Sequence, residues 1–203
     1  VVKRALAKRL AAVEGFEPPD PGLEQYPTPA DLAAHLVALA DLHGDLGDRT
    51  VADLGAGTGM LALAAATRSA ERVLAVELDA DALRVARENE RRVAPGTSVD
   101  WLRGDATRVP LAAVDTVLMN PPFGAQRGNE HADRAFLAAA ADLAAVSYSV
   151  HNAGSREFVE SFAGDRGGEV THAFAADFPV AAQFDFHTSD REVLDVEVFR
   201  VEW

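Results

Sequence analysis

The segment "TVADLGAGTGMLALAAATRSAERVLAVELD", residues 50–79, decides the fold of this chain. An apolar run at 50–56 enters a glycine-rich loop, and a helical pattern follows that loop. A second strand-like run, at 72–79, ends in acidic residues. This order predicts a parallel strand–helix–strand unit, in which the glycines allow a tight turn and let a ligand approach the backbone closely.

The same alternation continues along the rest of the chain. Further strand-like runs lie at 98–105, 115–120 and 145–151, and helical patterns separate them. Their β-branched, continuously apolar character indicates burial on both faces. Two last runs, 169–180 and 191–203, have no helix between them and should pair antiparallel. We therefore predict an α/β fold with a mostly parallel sheet, helices on both faces and an antiparallel C-terminal hairpin at the sheet edge.

The first 45 residues differ in composition from the alternating part. A helix is expected over 2–13, a proline-rich passage follows, and another helix is expected over 30–43. Thr28 precedes Pro29, so the pattern predicts Thr28 as the helix N-cap. A length of 203 residues suits one domain, 1–203, with 1–45 as a helical and proline-rich extension.

The charge balance is strongly acidic. The formal net charge is −13, and only two of the nineteen basic residues are lysines. This balance argues against nucleic acid as a partner, but it also suits a halophilic protein whose charged surface works in concentrated salt. The cluster Lys3, Arg4, Lys8 and Arg9 is the best local candidate for phosphate contact, with a solvated amphipathic helix as the alternative.

Composition also bears on redox chemistry, metals and membranes. Cysteine is absent, so we expect neither a disulfide nor a thiolate metal site. No apolar run approaches the roughly 20 residues of a membrane span. The basic N-terminal stretch lacks the long apolar core and cleavage pattern of a signal peptide. A cytoplasmic protein without a metal site or membrane contact is the simplest expectation.

The glycine loop "DLGAGTG", residues 53–59, has partners suited to an adenosine. Glu77 follows about 20 residues later, where a ribose diol is usually held. Asp105 ends the third strand-like run and can meet an adenine amino group. Because no Walker lysine is present to hold phosphates, the pattern favours the phosphate-free cofactor S-adenosylmethionine. For the glycines alone, a tight turn without a ligand is the alternative.

The segment "NPPF", residues 120–123, ends the fourth strand-like run on an amide and two prolines. The side-chain oxygen of Asn120 and the carbonyl of Pro121 can accept the two N–H bonds of a planar amine. Pro122 stiffens the turn, and Phe123 offers a ring on which a base can stack. A Pro-Pro turn with Phe123 in the core is the alternative. The motif does not separate a base amine from a glutamine amide.

Over residues 20–203 the chain resembles the Rossmann-like class I S-adenosylmethionine-dependent methyltransferases, whose sheet has seven strands. Five segments narrow the resemblance to the methyltransferase-like protein five family and its archaeal relatives: "LEQYPTP" (23–29), "NPPFGAQ" (120–126), "HADRAFL" (131–137), "YSVH" (148–151) and "FDFH" (184–187). That family methylates N6 of an adenosine in small-subunit ribosomal RNA. The resemblance implies the same activity here.

The resemblance also implies site residues and a partner. Asn120, Pro121, Pro122 and Phe123 would form the catalytic pocket. Ala56 stands where relatives often carry cysteine, and no step of the chemistry depends on that thiol. The eukaryotic member works with a small zinc-binding activator subunit, so a heterodimer is expected here too. The implied cofactor contacts are Gln25, Thr28, Asp53, Gly55, Gly57, Thr58, Met60, Glu77, Asp105 and Asn120.

Two other functions fit parts of the pattern. A release-factor glutamine-N5 methyltransferase would use the same amide clamp, but those enzymes commonly carry tyrosine in place of Phe123 and lack "LEQYPT". A non-catalytic assembly factor could bind cofactor or RNA, but it would not need the intact "NPPF" segment. Adenine-N6 methylation of ribosomal RNA is therefore the leading interpretation.

Overall fold

The structure is a computed structural model that describes residues 2–123, 132–181 and 191–203. The ends of two segments that support the resemblance, 124–126 and His131, lie outside these residues. The segment 184–187 lies outside them as well.

Within the described ranges, seven strands form one sheet in the order β3-β2-β1-β4-β5-β7-β6. β1 to β5 pair in parallel, and β7 runs antiparallel to both β5 and β6. The predicted mixed sheet with an antiparallel C-terminal hairpin is therefore confirmed. The strands are β1 Thr50–Leu54, β2 Arg72–Glu77, β3 Val99–Arg103, β4 Val114–Met119, β5 Ala144–Asn152, β6 Glu169–Ala181 and β7 Arg191–Glu202.

Helices cover both faces of the sheet, and two apolar clusters fill the space between the layers. Successive residues of β1 face opposite clusters, since Val51 packs with α1, α2 and α3 while Ala52 packs with α5 and α6. This double burial explains the unbroken apolar character of the strand. The helices are α1 Val2–Leu10, α2 Ala30–Leu42, α3 Met60–Ala66, α4 Ala80–Val93, α5 Ala132–Leu143 and α6 Arg156–Asp165, and a short 3₁₀ turn spans Pro21–Leu23.

The predicted N-cap of α2 is wrong. The helix begins at Ala30, and the extended residue Pro29 occupies the cap position without a side-chain hydrogen bond. Thr28 lies outside the helix, and its hydroxyl oxygen accepts a hydrogen bond from the Asn120 side chain at 2.9 Å. The Thr28 hydroxyl therefore bonds to Asn120, which is distant in sequence, and does not cap the helix as the local pattern predicts.

The strand register brings the predicted site to one edge of the sheet. Leu54 at the end of β1 pairs with Val76 of β2 and with Met119 of β4. The residues that follow these strands, Gly55, Glu77 and Asn120, consequently emerge side by side. The carboxyl edge of a parallel sheet is where ligands bind in such folds.

Candidate active site

A cleft of about 1060 Å³, including its open mouth, lies at this carboxyl edge. The catalytic candidates Pro121 and Phe123 are not among the residues that line it. Most of the predicted site residues do line it: Gln25, Thr28, Asp53, Gly55, Gly57, Thr58, Met60, Glu77, Asp105, Asn120 and Pro122.

The glycine loop presents bare backbone to this cleft. Gly57 has φ +55°, and a Cβ there would lie 2.8 Å from the ring of Phe16. Gly59 has φ +96°, and its Cβ would lie 2.7 Å from Trp101. At both positions a side chain would strain the backbone and meet an aromatic ring. Any other residue at these positions would therefore destabilise the loop.

Asp53 fastens the end of β1 to the start of α3. Its Oδ2 accepts the backbone N–H of Ala62 at 2.8 Å, and the residue is buried. Burial raises the pKa of the Asp53 carboxyl to about 7; the hydrogen bond from Ala62 opposes this rise, and the negative charge of nearby Glu77 adds to it. A carboxyl with this pKa is sensitive to any cationic group that enters the cleft.

Glu77 organises the loop at the end of β2. One carboxylate oxygen accepts the N–H of Gly57 at 2.7 Å, and the other accepts the N–H of Asp79 at 2.8 Å. Burial raises the pKa of Glu77, and these backbone donors partly offset that rise. A carboxylate has about four acceptor positions, so Glu77 can still accept a diol hydroxyl beside its backbone donors.

Asp105 lines the cleft and is exposed. Its Oδ1 accepts both the N–H of Thr107 at 2.9 Å and the Thr107 hydroxyl at 2.7 Å. These hydrogen bonds lower the pKa of Asp105. The side chain is thus an ionised acceptor held in a fixed position.

Residues 11–29, here called the strap, cross over the glycine loop and are fastened at several points. Near its start, Glu14 donates its N–H to the buried Asn89 side chain, which returns a bond to the Glu14 carbonyl, both at 2.9 Å. The same Asn89 amide donates to the carbonyl of Thr58 at 2.9 Å. Further along, the buried Gln25 donates to Asp79 at 2.7 Å. The strap therefore forms one wall of the cleft.

Asn120 follows β4 and lines the same cleft. Its Nδ2 donates to the hydroxyl oxygen of Thr28 at 2.9 Å. Its Oδ1 is buried and accepts no hydrogen bond from the residues the structure describes. A buried acceptor left without a donor costs about 1–3 kcal/mol. The cleft therefore contains an acceptor suited to a ligand N–H.

Phe123 rests against the core edge beside the cleft. Its half-buried ring meets Phe178 edge to face, with centroids 5.4 Å apart and an interplanar angle of 86°. Its carbonyl accepts the side-chain amide of Asn152 at 3.0 Å. These contacts fix the turn after Asn120. Stacking of a base on the remaining ring surface stays a prediction.

Several residues of the cleft were not predicted, because they belong to none of the sequence motifs that indicated the site. Phe16 on the strap and Phe136 on α5 both line the cleft. Asn89 acts from the middle of α4, and its contacts to the strap join residues 75 positions apart. Asp79 could have been found, since it precedes a helical pattern and caps α4 by accepting from the N–H of Asp81.

The residues that the structure describes contain no group of three or more His, Asp or Glu side chains placed to hold a metal ion. No helix among them has both the length and the apolar character needed to cross a membrane.

Comparison with known proteins gives matches over the whole chain. The methyltransferase small domain family matches residues 30–146. The rRNA N(6)-adenosine-methyltransferase Mettl5 of Drosophila melanogaster is 34% identical over 98% of this chain and 95% of its own length. The uncharacterised protein MJ0284 of Methanocaldococcus jannaschii is 32% identical over 100% of this chain and 94% of its own.

A solved structure agrees with these matches. PH1948 from Pyrococcus horikoshii, a candidate RNA methyltransferase, superposes with a TM-score of 0.91 at 39% identity. The alignment covers 100% of this chain and 98% of that one. Sheet order, cleft and full-length similarity therefore agree, and the chain belongs to the methyltransferase small domain family, in the methyltransferase-like protein five group.

Proposed function

We propose that this protein transfers a methyl group from S-adenosylmethionine to N6 of an adenosine in small-subunit ribosomal RNA. The observation that carries the proposal is the buried, unpartnered Oδ1 of Asn120, which lines the same cleft as the bare glycine loop. A free acceptor beside the cleft is what an incoming N–H donor requires.

The residues that line the cleft support S-adenosylmethionine as the cofactor. The backbone from Gly55 to Met60 would pass along the cofactor, Glu77 would accept the ribose diol, and Asp105 would accept the adenine amino group. Gln25 and Thr28 would cover the cofactor from the strap. When bound, S-adenosylmethionine supplies a methyl group on a positively charged sulfur.

The clamp at the end of β4 would prepare the target amine. The lone pair of an exocyclic amino group is delocalised into its ring, so the group is a poor nucleophile. The Oδ1 of Asn120 and the carbonyl of Pro121 would accept its two N–H bonds and favour a more tetrahedral nitrogen. Phe123, held against Phe178, would support the base from one side. Transfer then depends on positioning, and the proton can leave afterwards.

The substrate class rests on the relatives. The full-length similarity to a protein named as an rRNA N6-adenosine methyltransferase supports an adenosine in ribosomal RNA over a glutamine side chain. The small subunit is the finer part of the proposal, and it comes from the family resemblance.

We also infer a partner, a small zinc-binding activator subunit that forms a heterodimer with this chain. The inference follows from the resemblance. An edge strand is a suitable acceptor for such a partner by strand addition. Co-expression followed by size-exclusion chromatography tests it, with a 1:1 complex expected. Elution of the two chains as separate monomers would contradict it.

The enzymatic proposal is tested with a tritiated methyl donor and three acceptors: protein-free ribosomal RNA, small ribosomal subunits and release factor. Label is expected in RNA. Asn120→Ala should abolish transfer and retain affinity for S-adenosylhomocysteine, because the strap is still held by Asn89 and Gln25 when the bond to Thr28 is lost. Label in the release factor with none in RNA would refute the proposal.

A further inference from the structure

Positive charge is concentrated in two helices of this acidic protein. Helix α1 contains four basic residues and no acidic ones, and α4 contains four arginines and three acidic residues. The whole chain has a formal charge of −13, so the remaining residues are more negative still. We call the eight cations the basic surface: Lys3, Arg4, Lys8, Arg9, Arg84, Arg87, Arg91 and Arg92.

The structure joins these two helices, which are about 70 residues apart in sequence. Arg9 at the end of α1 donates from Nε to the carbonyl of Val93 at 2.9 Å, and its guanidinium also donates to the carbonyl of Ala94. Leu6 and Leu10 bury the inner side of α1, while all eight cations of the basic surface are exposed. The C-terminal ends of the two helices therefore meet, which brings Arg9 close to the basic last turn of α4.

Several of these cations are not neutralised. Among the residues described, no carboxylate oxygen lies within 4 Å of the charged nitrogens of Lys3, Arg4, Lys8, Arg87 or Arg91. Four exposed arginines elsewhere on the surface are ion-paired, whereas the exposed Arg103, Arg108 and Arg134 are not paired with any residue that the structure describes. Arg49, Arg72, Arg156 and Arg166 each lie between 2.7 and 3.6 Å from an Asp or Glu oxygen.

We propose that the basic surface binds the phosphate backbone of the RNA on which the enzyme acts, an inference that rests on the proposed function. An acidic protein repels RNA, so binding needs a local region where cations outnumber carboxylates. Helix α1 is roughly 13 Å long and α4 roughly 21 Å, which spans several consecutive phosphates. The same charge distribution orients the protein as it approaches RNA.

The test compares two variants with the same net charge. The first replaces four unpaired cations of the basic surface: Arg4→Gln, Lys8→Gln, Arg87→Gln and Arg91→Gln. The control replaces four exposed, ion-paired arginines elsewhere: Arg49→Gln, Arg72→Gln, Arg156→Gln and Arg166→Gln. Both sets avoid the cleft, and circular dichroism sets the range of KCl over which both are folded.

Affinity for protein-free small-subunit ribosomal RNA, and for transfer RNA as an unrelated polyanion, is measured across that range. The basic-surface variant should bind both RNAs at least tenfold more weakly at the lowest salt. Its slope of log affinity against log salt should be shallower by about 2–3, since each lost phosphate contact contributes about 0.7. The KM for RNA should rise, and kcat at saturating RNA should stay unchanged.

Equal affinity and equal salt slope in the two variants would overturn the inference. A fall in kcat without a change in RNA affinity would also overturn it, because it would assign these residues to the cleft. Failure of the proposed function looks different: the wild type would bind RNA with the predicted salt slope and transfer no methyl group to it.

Discussion

Gly57 shows at the scale of one residue why the cleft needs backbone without side chains. Gly57→Ala would require a left-handed alanine and would push its Cβ to 2.8 Å from Phe16. We expect the free energy of unfolding to fall by about 1–3 kcal/mol, and affinity for S-adenosylhomocysteine to fall with it. Chemical denaturation and calorimetry measure the two effects.

Gly164 provides the matched control for that substitution. It lies in α6, and a Cβ there would meet nothing within 4 Å. Gly164→Ala should be neutral or stabilising by up to about 1 kcal/mol, because alanine favours the helix. Equal stability of the two alanine variants would contradict the explanation given for the loop.

Asp53 predicts a pH dependence of stability. Its pKa is raised to about 7 in the folded protein, so folding binds a proton between the unfolded pKa and about pH 7. Its contribution to stability is complete below the unfolded pKa and is lost as pH rises through 7. Carboxylates whose pKa is lowered on folding change the stability with pH in the opposite direction. The effect of Asp53 is therefore isolated by comparing the pH dependence of stability in the wild type and in Asp53→Asn.

The asparagine variant keeps an acceptor for the N–H of Ala62 and cannot titrate. The melting temperature of the wild type, relative to Asp53→Asn, should rise as pH falls from 8 to 5, with each kcal/mol corresponding to about 2–4 °C. A difference that is constant over this pH range would show that Asp53 keeps an ordinary pKa.

At the scale of elements, the local sequence predicted the strands and helices, but it did not predict how the strap is held. Apolar runs and glycine turns specify β1 and β2, and the missing helix before β7 specifies the antiparallel hairpin. By contrast, Thr28 has a local role as an N-cap and a distant one as a partner of Asn120, 92 residues away. The spacing of residues in the sequence indicates only local roles such as helix capping. The N-cap prediction was wrong because it could not include the contact with Asn120.

The strap also yields a prediction about Asn89. Asn89→Ala removes the hydrogen bonds to Glu14 and Thr58 and should lower the free energy of unfolding by about 2–3 kcal/mol. Loosening the strap should expose residues 11–29 to limited proteolysis and weaken binding of S-adenosylhomocysteine.

Arg84→Ala, on the exposed side of the same helix, is the control for Asn89→Ala. Arg84→Ala should leave both the pattern of limited proteolysis and the affinity for S-adenosylhomocysteine unchanged. If Asn89→Ala is cleaved no faster than the wild type, the strap is held by other contacts.

At the scale of the whole molecule, acidity and stability are coupled through salt. A net charge of −13 produces self-repulsion that salt screens. We expect the melting temperature to rise between 0.1 M and 3 M KCl, and structure to be lost on dialysis to low salt, as followed by circular dichroism. A melting temperature indifferent to salt would contradict the high-salt interpretation.

The choice of substrate also depends on the whole molecule, since the proposed clamp at Asn120 would accept any planar amine. The order of motifs along the chain and the full-length similarity favour RNA over protein. The basic surface depends on contacts between α1 and α4, so only the structure could add the arginines of α4 to the cluster predicted at the N-terminus.

The decisive experiment for methyl transfer to RNA is to map N6-methyladenosine in small-subunit ribosomal RNA. The RNA is taken from cells that lack the gene and from the same cells supplied with the wild type or with Asn120→Ala. One adenosine should carry the N6-methyl group only when the wild type is present. An identical methylation map in all three samples would contradict the proposed function.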